Sequence, residues 1–91
     1  MNEELETRAV GYYEIEEDVP SLGILAGDYI YVDGNPHSKE KILVCWYDEG
    51  SHLCRWSEDG GVLMDLHRNA PAPVKAECLC GVLYVRRIIS F

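Results

Sequence analysis

Gly23-Ile24-Leu25-Ala26-Gly27-Asp28-Tyr29-Ile30-Tyr31-Val32-Asp33 decides how this chain reads, because it is a turn that runs straight into a strand. Glycine takes positive φ without a Cβ clash, and a neighbouring aspartate hydrogen-bonds its own backbone, so Gly27-Asp28 reverses the chain cheaply. Tyr29 to Val32 then offers aromatic and β-branched residues, the composition of a pleated strand.

Upstream, Ala9 to Ile15 predicts a first strand, ended by Glu16-Glu17-Asp18-Val19-Pro20, where Pro20 pushes Val19 out of helical geometry. Ser21 to Ala26 suits a single helical turn. Downstream, residues 33–40 form a polar loop dense in turn formers, and Lys41 to Tyr47 is a strand apolar enough to be central. Turns at 48–51 and 57–61 separate it from strands at 52–56 and 62–67, which reads as an antiparallel meander. Arg68-Asn69-Ala70-Pro71-Ala72-Pro73 is an extended connector whose prolines speak against ladder bonding. The last run, 74–91, contains Gly81, which predicts a bulge or a close backbone approach.

Ninety-one residues with 47% apolar content predict one globular domain, 8–91, behind a flexible acidic lead at 1–7. No apolar run approaches the roughly 18 residues that span a bilayer, and Met1-Asn2-Glu3-Glu4-Leu5-Glu6 lacks the features of a signal peptide. A soluble, cytoplasmic chain without membrane contact is expected. The formal charge of −8, from 16 acidic and 8 basic residues, repels phosphate, so no direct nucleic-acid binding by this chain is expected. Cys45, Cys54, Cys78 and Cys80 contain no Cys-x-x-Cys pair. They read as reduced, small apolar core residues, with a Cys/His metal-binding module as the alternative. His37, His52 and His67 read as strand-end or loop residues, His67 with Asp65 as a candidate His-carboxylate couple.

Asp18-Val19-Pro20-Ser21-Leu22-Gly23-Ile24-Leu25-Ala26-Gly27-Asp28 and the ordered strands after it resemble the LexA and phage-repressor self-cleaving serine peptidase family. The resemblance runs from about Glu14 to Ile89. It implies an all-β, LexA-like (β-clip type) small domain of short, mainly antiparallel strands. The family's mechanism is a Ser-Lys dyad, in which a neutral lysine takes the serine proton. Carried over without a gap, the serine position falls on Asp18 and the lysine position on Arg55, so the dyad is absent. A guanidinium is no general base near neutral pH. Asp18 and Arg55 are expected to face each other as an ion pair in the relic site, with Ser21 as the nucleophile in the alternative reading as a diverged self-cleaving peptidase.

The function expected is therefore non-catalytic: dimerisation or protein-partner binding, as part of a transcriptional-regulation system. In LexA-like repressors this domain makes the dimer. The resemblance thus points to the basic, apolar C-terminal run, with Tyr84, Arg86, Arg87, Ile88 and Phe91 as the candidate interface of a homodimer or of a complex with a protein partner. No cofactor is implied.

Overall fold

The alternation at residues 29–32 becomes a strand with two unlike faces. In the computed structural model, which describes residues 9–87, Ile30 and Val32 are buried while Tyr29 and Tyr31 stay half-exposed on the other side. Among the described residues seven strands form one sheet: β1 (Gly11–Glu14), β2 (Tyr29–Val32), β3 (Leu43–Tyr47), β4 (Gly50–Trp56), β5 (Leu63–Asp65), β6 (Ala70–Pro71) and β7 (Glu77–Arg86). Their order in the sheet is β1-β2-β7-β3-β4-β5-β6, and every pairing is antiparallel. The fold is all-β, as the sequence predicts. Among the described residues no helix is long and apolar enough to cross a membrane, and the helical turn expected at 21–26 is a 3-10 turn over Pro20–Leu22.

Except at the exposed Trp46, β3 is buried on both faces, which explains its apolar run. Val44 joins Ile15, Val19, Ile24, Ile30, Val32, Leu53 and Cys80 in one core cluster. On the opposite face Leu43, Cys45 and Tyr47 join Cys54 in a second, packed against Trp56, Leu63 and Cys78. Residues 15–24 cover the first cluster, pinned by paired backbone bonds between Val19 and Ile24 and by the left-handed Gly23 (φ 69°) between them.

β7 is the hinge of the sheet. Its first half, to Gly81, pairs with β3, and its second half, from Val82, pairs with β2. One peptide unit holds both neighbours: the Gly81 carbonyl accepts the Asp33 N–H (2.9 Å), and the Val82 N–H donates to the Ile42 carbonyl (2.8 Å). The irregularity expected at Gly81 is thus a close approach, flanked by register shifts that leave Leu79 and Leu83 as the extra residues. A Cβ on Gly81 would lie 2.9 Å from Asp33 Oδ1 and 3.1 Å from the Asn35 carbonyl oxygen. Asp33 cannot retreat freely, because Oδ1 accepts N–H bonds from Asn35 (2.9 Å) and Gly81 (3.1 Å) while Oδ2 meets Lys41 Nζ (3.3 Å). Burial alone would raise the Asp33 carboxyl, but these donors outweigh it and hold the group below the ordinary value.

The connector at 68–73 differs from expectation. Ala70–Pro71 pairs with β5 as the outermost strand, and the Ala72 N–H donates to the Leu63 carbonyl (2.7 Å). An edge strand tolerates proline because its missing N–H is not needed by a further neighbour.

The Gly27-Asp28 turn is locked from the far end of β7. Arg87 Nε lies 2.9 Å from Asp28 Oδ1, its second donor lies 3.0 Å from Oδ2, and the same nitrogen reaches the Gly23 carbonyl (3.0 Å). The guanidinium, with the Leu25 N–H, holds the Asp28 carboxyl below its ordinary value of 3.8.

Two predictions follow from these contacts. Gly81→Ala is expected to lose about 1–3 kcal/mol in urea unfolding, and an unchanged midpoint would show that the Asp33 cradle yields. Because the folded-state value of Asp28 is depressed, its contribution is present above the unfolded value and is lost as pH falls through the folded one. Arg87→Gln is accordingly expected to lower Tm at pH 7, with the gap to the parent closing below about pH 3.9, which circular dichroism melts across pH would read. A gap that persists at the acid end would contradict the assignment.

Candidate functional site

A groove of about 560 Å³ opens between residues 13–17 and the β3–β4 hairpin. Its base is apolar, made by the buried Ile15, Ile30, Val44 and Leu53. Glu14, Glu16 and Glu17 line one side, and Asp48 and Glu49 line the hairpin side. Two aromatic rings stand among these carboxylates, Tyr13 (41% exposed) and Trp46 (46% exposed). His52, His67 and Arg68 complete the lining, and Lys75 reaches Asp48 from outside it, so two permanent cations stand against five carboxylates.

Local structure explains why the hairpin places acids there. Tyr47 pairs with Gly50, so Asp48 and Glu49 form a two-residue turn rather than the longer one expected. Both are left-handed, with φ of 50° and 59°. Such turns favour Asn-Gly, and a glutamate in this region is strained by roughly 1 kcal/mol. The carboxylates stand at the groove despite that cost. Lys75 Nζ lies 2.9 Å from Asp48 Oδ1, which lowers that carboxyl, while both side chains stay largely exposed.

Beside the groove lies a buried polar network. Tyr47 donates its hydroxyl to Asp65 Oδ2, and Asp65 Oδ1 accepts the N–H groups of His67 (2.8 Å) and Arg68 (3.1 Å). Burial would raise the Asp65 carboxyl, but the Tyr47 hydroxyl, the two N–H donors and His52 outweigh it and keep it low. Burial first, and then the bond to Asp65, push the Tyr47 phenol up, so it stays a donor. The His52 ring stacks on Tyr47 at 3.8 Å, with Nδ1 3.4 Å from Asp65 Oδ2 and Nε2 3.0 Å from the Tyr47 carbonyl. A carbonyl only accepts, so Nε2 carries a proton. His67 has the opposite arrangement: Nε2 accepts the Leu53 N–H (3.1 Å), which leaves the proton on Nδ1, facing the Asp18 carbonyl at 3.4 Å. Asp65 therefore meets the ring of His52 and only the backbone of His67. Among the described residues no serine, threonine or cysteine side chain bonds to either imidazole, and the network braces β3, β4 and β5 together.

Asp18 and Arg55 do not form the expected ion pair. Asp18 Oδ1 accepts the Ala26 N–H (2.7 Å), tying residue 18 to the turn, while Arg55 is exposed on β4 opposite Met64. Ser21 is exposed within the 3-10 turn. Of the candidate interface residues, Tyr84 stacks on Tyr31 (centroids 4.7 Å), Arg86 lies over the same ring (5.4 Å), and Arg87 is committed to Asp28. Ile88 and Phe91 lie outside the described residues. Within the C-terminal run, residues 82–86 pair with β2 along one side, while residues 77–81 pair with β3. Cys45, Cys54 and Cys80 are buried and Cys78 is half-buried. Among the described residues no three His, Cys, Asp or Glu side chains form a group suited to a metal ion.

The sequence reading missed the groove. Its one legible signal was Trp46, an exposed tryptophan between the buried Cys45 and Tyr47. No family model matches the chain, and no curated protein matches it.

Tyr47→Phe removes a donor from a buried carboxylate and is expected to lose about 1–3 kcal/mol in urea unfolding. Stability equal to the parent's would show that Asp65 is satisfied without it.

Proposed function

We propose that this chain is a non-catalytic, cytoplasmic binding module of the LexA and phage-repressor kind, and that its acidic groove takes a Lys/Arg-rich segment of a protein partner. The observation that carries this reading is the groove itself: five carboxylates and two exposed aromatic rings around an apolar base. A cationic side chain gains there from the carboxylates and from the π faces of Trp46 and Tyr13, and its aliphatic stem covers the apolar base. The net charge of −8 adds long-range attraction for such a partner. The left-handed Asp48 and Glu49 support the same reading, since strain retained at a surface turn serves display rather than stability. The family part of the proposal rests on the order of motifs along the chain, and the non-catalytic part on Asp18 and Arg55 standing at the dyad positions. Pairing between two copies is the less favoured arm, because Arg87 is held by its own Asp28.

Titration with a Lys/Arg-rich peptide, followed by tryptophan emission, tests the proposal. Saturable binding is expected, weakened about tenfold by moderate salt and by Glu16→Lys with Glu17→Lys, and without the emission change in Trp46→Phe. Equal binding of an acidic peptide, or charge reversal without effect, would overturn it.

A further inference from the structure

We propose that Cys45 and Cys78 form a redox pair that closes into a cross-strand disulfide when a hydroperoxide reaches the sheet. The inference is independent of what the groove binds. The two residues are direct register partners between β3 and β7, and their sulfurs stand 3.4 Å apart. Partners in an antiparallel ladder have Cα atoms about 4.5–5.5 Å apart, inside the span of about 4.4–6.8 Å that a disulfide bridges. Closure therefore needs the sulfurs to approach by about 1.4 Å, without moving either strand to a new register. Neither of the other thiols is a register partner of Cys45 or Cys78. Cys54 stands opposite Leu43, and Cys80 stands opposite Val44 in the other core cluster.

Exposure sets the order of events. Cys45 is fully buried, whereas Cys78 is half-buried and therefore open to a small oxidant. The Cys78 sulfur attacks the terminal oxygen of the peroxide, the O–O bond breaks, and the alcohol leaves with the thiol proton, giving a sulfenic acid. The Cys45 sulfur then attacks the Cys78 sulfur, the S–O bond breaks, and hydroxide leaves as water with the Cys45 proton. Two thiols supply the two electrons that reduce one hydroperoxide to alcohol and water. The bond would staple β3 to β7 across residues 45 and 78.

The test exposes the purified chain to hydrogen peroxide, blocks remaining thiols with iodoacetamide, and maps the digest by mass spectrometry. The expected product is an intramolecular Cys45–Cys78 crosslink about 2 Da lighter than the dithiol, reversed by dithiothreitol, with Cys54 and Cys80 recovered alkylated. Cys78→Ala is expected to abolish it and Cys54→Ala to leave it intact. Mapping the unsubstituted chain needs no variant to fold. Recovery of all four thiols alkylated, a crosslink between any other pair or between two chains, or sulfinic acid at Cys78 without a crosslink would overturn the proposal.

Discussion

The sheet depends on the grip of the Asp33 carboxylate on the backbone at Gly81. The consecutive strands β2 and β3 reach the distant β7 only because residue 81 lets one neighbour leave and the other begin within a single peptide unit. Any side chain there would occupy the space in which Asp33 and the Asn35 carbonyl sit. A buried carboxylate is normally costly, but three donors surround this one, and the loop at 33–41 is held to β7 as a result. The two core clusters lie on opposite faces of the strands joined at that point.

The groove stands in a different relation to stability. Its base belongs to the first core cluster, yet its lining carries like charges in close company and a hairpin turn whose residues are poorly suited to their backbone conformation. Neither feature helps the fold. The polar network of Tyr47, His52, Asp65 and the His67 backbone sits alongside and fixes the hairpin, so the carboxylates are presented from a rigid support. That support is what the proposed binding of a cationic segment would use.

Much of the fold was legible in the sequence, for local reasons. Gly27-Asp28 followed by Tyr29 to Val32, and the apolar run ending at Tyr47, declare themselves through turn chemistry and alternation. Pro71 misled because a rule for interior strands does not bind an outermost one. Turns at 48–51 and 57–61 are both legible, but the first closes over Asp48-Glu49 alone, a tightness hidden because neither residue favours positive φ. The groove was hidden for a different reason: residues 14–17 and 48–49 are brought together only by the strand order, which short-range patterns do not encode. The expected Asp18–Arg55 pair failed for the same reason in reverse. Asp18 found a partner eight residues away in the Ala26 N–H, and local capping outcompeted a distant charge.

The position of β7 also constrains how the chain is made. Tyr29 pairs with Arg86 and Leu43 with Gly81, so the strand that joins β2 to β3 is the last of the seven described strands to leave the ribosome. Until it emerges, β1 with β2 and β3 with β4 exist as separate hairpins whose apolar faces have nothing to join them. Isolated hairpins are marginal in water, and assembly by non-local contacts is slow. Until β7 is made, Ile30, Val32 and Val44 are therefore unshielded, and the core closes only when that strand arrives.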